Sequence, residues 1–177
     1  KIMQIAKKYN IPVIEDCAQS ILSQYKKKMS GSWGDVGCFS AHPLKNLNAA
    51  GDGGYLTTNN ESIYKKIKNL RTHGMDESRD NVKNFGYVSR MDNLQAAILN
   101  YRLKNLKKII DVRRKNVDLY LDKLNLKKIY FPKEKIDEFN TYHTFVIQVE
   151  KRNELKEFLK KKGIDTAIHY PVPIHLQ

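Results

Sequence analysis

Cysteine is scarce in this sequence: only Cys17 and Cys38 occur in 177 residues. Two thiols are too few for a disulfide framework. They read as small buried hydrophobes in a reducing compartment, and a cytoplasmic protein is expected. No apolar run approaches the roughly 18 residues that span a bilayer, so no membrane role is expected. Acidic residues are also few, 19 against 32 lysines and arginines, leaving a formal charge of +13. That excess does not by itself make a nucleic-acid reader. The lysines cluster in YKKIKN, RLKNLKK and NELKEFLKKKG, where the solvated face of a helix explains them. No helix-turn-helix, zinc-finger or RNA-binding motif accompanies them, and no nucleic-acid partner is expected. A basic surface favours anionic ligands such as phosphorylated small molecules. The histidines His42, His73, His143, His169 and His175 show no spacing typical of zinc, so no metal site is expected.

The chain is 41% hydrophobic and 29% charged, enough apolar residue to build a core. The opening KIMQIAKKYN reads as a helix, with Ile2, Ile5, Ala6 and Tyr9 on one face, rather than as a signal peptide. It begins without Met, and the closing HYPVPIHLQ stops in an extended loop. An internal portion of a longer protein, cut at both ends, is the expectation.

Between these ends, IPVIED is a short buried strand ending in Glu15 and Asp16. AQSILSQYKKKMSGSWG reads as a connecting segment with turns at Gly31 and Gly34 around Trp33. DVGCFSA and GGYLTT read as strands, and NNESIYKKIKNLRTHG as a helix capped by Asn or Ser and closed by Gly74. MDESRDNVKNFGYVSR carries little core-forming residue and reads as a loop. Asp92, with Gln95 three residues on, predicts a capping-box start for a long helical stretch to about residue 124, either two helices or one bent one. Beyond it KIYFP, TYHTFVIQV, RNELKEFLKKKG and IDTAIHYPV predict strand, strand, helix and strand, a small α+β domain. The expected division is residues 1–124 and 125–177, with an α/β fold in the first part.

Four residues then stand out. Asp16 ends a strand, where ligands of α/β sheets sit, although an acid there is also a common cap or turn residue. Gln19, three residues on, points the same way if a helix follows. Ser40 ends VGCFS and offers a hydroxyl, with backbone N–H groups behind it, to an anion. Lys45 stands in HPLKNL between Leu44 and Leu47, before the small residues NAAGDGG. Those neighbours predict a lysine held close to the backbone, the type that forms Schiff bases with carbonyls. A carboxylate, a hydroxyl and such a lysine on adjacent strand ends are what pyridoxal phosphate requires.

IEDCAQS, GSWGDVGCFSAHPLKNLNAAGDGGYLTTN, RTHG and GYVSRMDNLQAAIL, in that order, resemble the DegT/StrS family of sugar aminotransferases, and KKKGIDTAIHYPVPIHLQ is similar to that family's C-terminal substrate loop. The resemblance runs from about residue 1 to the end. It implies a fold-type I enzyme dependent on pyridoxal 5′-phosphate, with a mainly parallel sheet flanked by helices in the large domain. By resemblance Lys45 forms the Schiff base and shuttles the proton, and Asp16 pairs with the pyridinium nitrogen. Gln19 lies near the phenolic oxygen, and Ser40 holds the phosphate. His169 and His175 fall in the loop placed near the sugar nucleotide. The implied reaction is transamination of a nucleotide-linked keto sugar with glutamate or glutamine as donor, in amino-sugar or surface polysaccharide synthesis, by a homodimer. This chain alone is expected to bind the cofactor poorly.

Val88 departs from the pattern, standing where the resemblance places an asparagine that reaches the phosphate across the dimer interface. Valine cannot donate that bond, so the contact is absent or replaced through Ser89 or Arg90. Two rival readings follow. Sugar dehydratase or deoxygenase relatives carry His in place of the lysine, which Lys45 argues against. A catalytically silent binding or regulatory member of the fold is the other. Trp33 and Phe39 read as core rather than as ring-stacking residues, and Arg71 as a helix-dipole partner or an interface residue.

Overall fold

The computed structural model describes residues 1–124 and 127–177, which form two compact units. The first comprises Lys1–Asp122 with Glu134–Phe145, and the second Lys123–Lys133 with Val146–Gln177.

Helix α1, Ile2–Tyr9, ends on Asn10 in the left-handed region at φ 52°, with Lys7 and Lys8 in its last turn where the helix dipole favours cations. Of the expected apolar face only Ala6 is buried; Ile2, Ile5 and Tyr9 remain exposed. Strand β1, Ile14–Asp16, follows. The next segment, expected as a plain connection, contains a hairpin of β2, Gln24–Tyr25, and β3, Lys28–Met29. Its two-residue loop puts Lys26 at φ 50° and Lys27 at φ 62°. Both positions ask for residues such as Asn-Gly, and neither sequence nor composition announces a turn there. Lys27→Gly is therefore expected to stabilise the full-length protein by about 0.5–1 kcal/mol, seen as a rise of about 1–4 °C in thermal midpoint.

Strand β4, Val36–Ser40, runs parallel to β1, with Ile14, Glu15 and Asp16 opposite Val36, Gly37 and Cys38. Strand β5, Gly54–Thr57, pairs antiparallel with β4, Ser40 opposite Gly54. The sheet order is β1-β4-β5, so the expected mainly parallel sheet is not what these residues form. The loop 41–53 turns back at the same edge of the sheet, which forces antiparallel pairing.

Helix α2, Glu61–Leu70, starts on Asn60, whose side chain accepts from the N–H groups of Ser62 and Ile63. The expected long helix is two: α3, Asn93–Leu103, and α4, Leu106–Lys123. Leu99, Leu106 and Ile110 from these helices bury against Ala41, Leu47 and Ala49 of the loop after β4, with Tyr55 and Phe139 packed alongside. This core sits directly under the lysine-bearing loop.

The segment 134–145 falls in the first unit rather than in a separate domain from residue 125. Within it β6, Glu138–Phe139, adds to β2, giving a second sheet of order β3-β2-β6. The reason is electrostatic. Arg114 of α4 makes a bidentate pair with Glu134, both contacts 2.8 Å, and donates to Asn140 O at 2.7 Å. Glu134 also accepts from the Asn140 N–H. Thr141 and Tyr142 are thereby buried in the first unit.

Arg114 holds the Glu134 carboxyl below its ordinary value, chiefly by direct hydrogen bonding. A depressed carboxylate stabilises the fold fully above its unfolded value and loses that contribution as pH falls through the folded one. Glu134→Gln should thus cost about 1–3 kcal/mol at neutral pH, and the difference should shrink as pH falls below the ordinary glutamate range. Urea unfolding of both forms at neutral and at acid pH tests this.

In the second unit the expected helix forms as α5, Arg152–Lys161. Gly163 at φ 76° closes it, donating to Lys160 O, while Ile164 donates to Leu159 O. These two bonds are a Schellman motif. The expected strands do not assemble into a sheet among the described residues. Only an antiparallel bridge between Tyr130 and Gln148 forms, and TYHTFVIQV is split between the two units. No described helix is long and apolar enough to cross a membrane.

Candidate functional site at the ends of two parallel strands

The two acids that end β1 part company. Successive side chains of a strand point to opposite faces, so Glu15 and Asp16 cannot serve the same site. Glu15 turns toward the segment 31–34. Its carboxylate accepts from the backbone N–H groups of Gly31 at 2.9 Å, Trp33 at 2.6 Å and Gly34 at 2.7 Å. Gly31 sits at φ 77°, and a Cβ on Gly37 of β4 would lie 2.4 Å from its Cα. Glycine at both positions lets loop and strand touch. Sequence reasoning passed over Glu15. The clustering of Gly31 and Gly34 around Trp33 was the available signal, since glycines expose N–H groups that need an acceptor.

Asp16 lies at the carboxyl end of β1, exposed, with Oδ1 accepting from the Ala18 N–H at 3.0 Å. Gln19 follows in a turn closed by Ser20 N–H to Cys17 O at 3.1 Å, not in a helix, and is also exposed. Parallel pairing continues one step past the strand, Cys17 N–H to Cys38 O at 2.8 Å. Burial pushes the Cys17 thiol above its usual value, which keeps it protonated. Ser40, two residues beyond Cys38, ends β4 beside this point, half-buried.

From Ser40 the chain enters the loop that carries Lys45. Ser40 Oγ accepts from the His42 N–H at 3.3 Å, and His42 Nδ1 from the Leu44 N–H at 3.2 Å. Lys45 N–H closes a turn onto His42 O at 2.8 Å, with Pro43 second in the turn where its fixed φ fits. The expectation that Leu44 and Leu47 both enclose the lysine is half met. Leu47 is 5% exposed, whereas Leu44 is 76% exposed. Lys45 itself is half-buried.

The loop is tied down on several sides. Ala41 donates to Gly53 O at 2.7 Å and Ala49 to Ala41 O at 2.8 Å. Asn46 donates to Thr141 O at 3.1 Å. Arg102 of α3 donates to Asn48 O at 2.7 Å, and Gln95 Oε1 accepts from the Ala50 N–H at 2.8 Å. Gln95 therefore does not complete the expected capping box, and Asp92 makes no side-chain cap bond. The glycine-rich loop, lying across the helix start, supplies a donor that the helix's own cap does not. Asn46, Gln95 and Arg102 were not legible as site residues, because each acts on a segment 45 or more residues away.

Asp16 and Ser40 thus end the parallel strands β1 and β4 at the same end of the sheet, and Gln19 and Lys45 lie in the segments that follow them. His169 and His175 belong to the second unit and are exposed. Phe39 stacks on Tyr55, ring centroids 4.8 Å apart, and burial pushes the Tyr55 hydroxyl up to about 12. Trp33 lies under the Lys28 ammonium, 4.6 Å from its ring centroid. Arg71 follows α2 and ties to Ser89 in both directions, accepting from its N–H at 3.0 Å and donating Nε to its carbonyl at 3.3 Å. Val88 bridges to Thr72 and is exposed. A groove of about 1340 Å³ runs beside β5 and α2, lined by Tyr55, Tyr64, Arg71, Val88 and Arg90; it contains none of Asp16, Gln19, Ser40 and Lys45. Among the described residues no group of three or more His, Cys, Asp or Glu side chains is placed to hold a metal ion.

Known proteins resemble this chain in sequence and in fold. The chain is 39% identical over 176 residues to the UDP-N-acetyl-3-dehydro-alpha-D-glucosamine 3-aminotransferase of Acidithiobacillus ferrooxidans, covering 99% of this chain and 47% of that protein. It is 41% identical over 173 residues to the dTDP-3-amino-3,6-dideoxy-alpha-D-galactopyranose transaminase of Aneurinibacillus thermoaerophilus, covering 98% and 47%. Among solved structures, DesV of S. venezuelae, in complex with a ketimine intermediate, superposes with a TM-score of 0.94 at 33% identity, covering 99% of this chain and 47% of that one. The chain spans about half the length of the curated relatives it matches. The model of the DegT/DnrJ/EryC1/StrS aminotransferase family matches residues 1–177 from end to end, and the chain belongs to that family.

Proposed function

We propose that this chain carries the lysine-bearing part of a cytoplasmic, pyridoxal-phosphate-dependent aminotransferase that acts as a homodimer on a nucleotide-linked keto sugar, with glutamate or glutamine as amine donor, in amino-sugar or surface polysaccharide synthesis. One observation carries the reading. The parallel register of β1 and β4 sets Asp16 beside the strand end that leads through Ser40 to Lys45. The donor set fits the cofactor: an amine for an aldehyde, a hydroxyl for a phosphate, a carboxylate for a protonated ring nitrogen. The relative from Acidithiobacillus ferrooxidans, named for a UDP-linked dehydro sugar, supports the substrate class.

Pyridoxal phosphate, when bound, supplies the aldehyde and a protonated ring that draws electron density from the reacting carbon. Lys45 Nζ would hold the aldehyde carbon and, once released, would take and return the proton at the carbon that gains or loses the amine. The Asp16 carboxylate would keep a proton on the ring nitrogen, and Ser40 Oγ would donate to the phosphate. Gln19 would face the phenolic oxygen, and His169 and His175 would contact the sugar nucleotide. The full-length protein, incubated with pyridoxal phosphate and borohydride, should become labelled on Lys45. Label on another lysine, or on none, would sink the assignment.

A further inference from the structure

Asn46, the residue after Lys45, is 6% exposed, and its amide is only half satisfied. Nδ2 donates to Thr141 O at 3.1 Å, while Oδ1 is buried without a hydrogen-bond partner. A buried amide with one unmet acceptor carries a desolvation cost that its single bond to Thr141 offsets only in part. Its receptor, in contrast, is firmly held. Thr141 is fully buried, its hydroxyl 3.0 Å from that of Ser23. On one side Asn140 is fixed by the Arg114–Glu134 pair. On the other, Tyr142 N–H donates to Asn140 Oδ1 at 2.8 Å, and Arg113 donates to the carbonyls of Tyr142 and His143 at 3.2 Å.

We propose that Asn46 is a positioning residue for Lys45: its bond to the Thr141 carbonyl sets the place from which the lysine reaches the strand ends. The proposal rests on the reading of Lys45 given above. One residue separates the anchored amide from the amine-bearing side chain, so a shift of the anchor moves the lysine's base directly. Reacting groups tolerate little misplacement; about 1 Å can cost about a hundredfold in rate. The unmet Oδ1 is then a stability cost kept for placement.

The test measures how fast Lys45 is modified at saturating pyridoxal phosphate in the full-length protein. The Lys45 amine adds to the aldehyde, water leaves as a C=N bond forms, and borohydride delivers hydride to give a stable secondary amine. Asn46→Leu leaves the buried Thr141 carbonyl without its donor, so it should lower the unfolding midpoint by about 2–6 °C and slow this labelling at least tenfold. Val117→Ala, in α4 and 3% exposed, should lower the midpoint and leave the labelling rate alone. If Asn46→Leu does not fold, Asn46→Ser replaces it with the same tenfold slowing expected. Labelling of the Asn46 variant at the wild-type rate overturns the proposal, as does slowing in Val117→Ala equal to that in Asn46→Leu. Absence of label on wild-type Lys45 is a different failure, since it overturns the reading of the site itself.

Discussion

Lys45→Ala is expected to leave a folded protein that has lost amine transfer to a keto-sugar nucleotide by at least about 10⁴-fold. On the proposed reading two contributions vanish together, the covalent hold on the aldehyde and the proton shuttle, and proton transfer alone is commonly worth about 10²–10⁴-fold. The fold should survive because little depends on this side chain. The loop is held by Leu47, Ala49, Asn46 and the bonds from Gln95 and Arg102. Steady-state rates with a small panel of keto-sugar nucleotides, beside an unfolding curve, check both halves. A variant that folds and still turns over within tenfold of wild type defeats the assignment of Lys45.

Glu15→Ala should do the opposite, destabilising the protein by about 3–5 kcal/mol. Three backbone N–H groups, of Gly31, Trp33 and Gly34, share one carboxylate at 2.6–2.9 Å. Bonds to a charged acceptor are worth about 1.5–3 kcal/mol each, and partly buried donors left unpaired add their own cost. Water entering the opened segment offsets part of the sum. Against a typical total of 5–15 kcal/mol this is a large fraction. Urea unfolding of the full-length protein measures it, and a loss under about 1 kcal/mol would show that the segment holds itself.

The neighbouring acids show how far sequence reaches. Asp16 was legible because a strand followed by an acid and a turn is a local pattern, and ligands collect at strand ends. Glu15, one residue away, was not, because its partners lie 16 to 19 residues on and are backbone groups with no signature of their own. The hairpin at Lys26–Lys27 was missed for a related reason. Its turn uses lysines at positive φ, where local preference calls for Gly or Asn, so tertiary pairing with β6 overrides it. The strands expected after residue 125 failed in the other direction. Their composition favours strands, but the ion pair of Arg114 with Glu134 draws Thr141 and Tyr142 into the first unit.

Sequence by itself determined the main helices, the strands β1, β4 and β5, the membership of the family and the positions of Asp16 and Ser40 at strand ends. These rest on periodicity, caps and short ordered motifs, all of which act over a few residues. Only the tertiary structure decided that Glu15 binds the glycine turn. It also decided that Gln95 serves the lysine loop rather than its own helix, and that Asn46 is anchored on a carbonyl 95 residues away. Those outcomes depend on which distant groups need a hydrogen-bond partner once the core has closed, and no local pattern records that need.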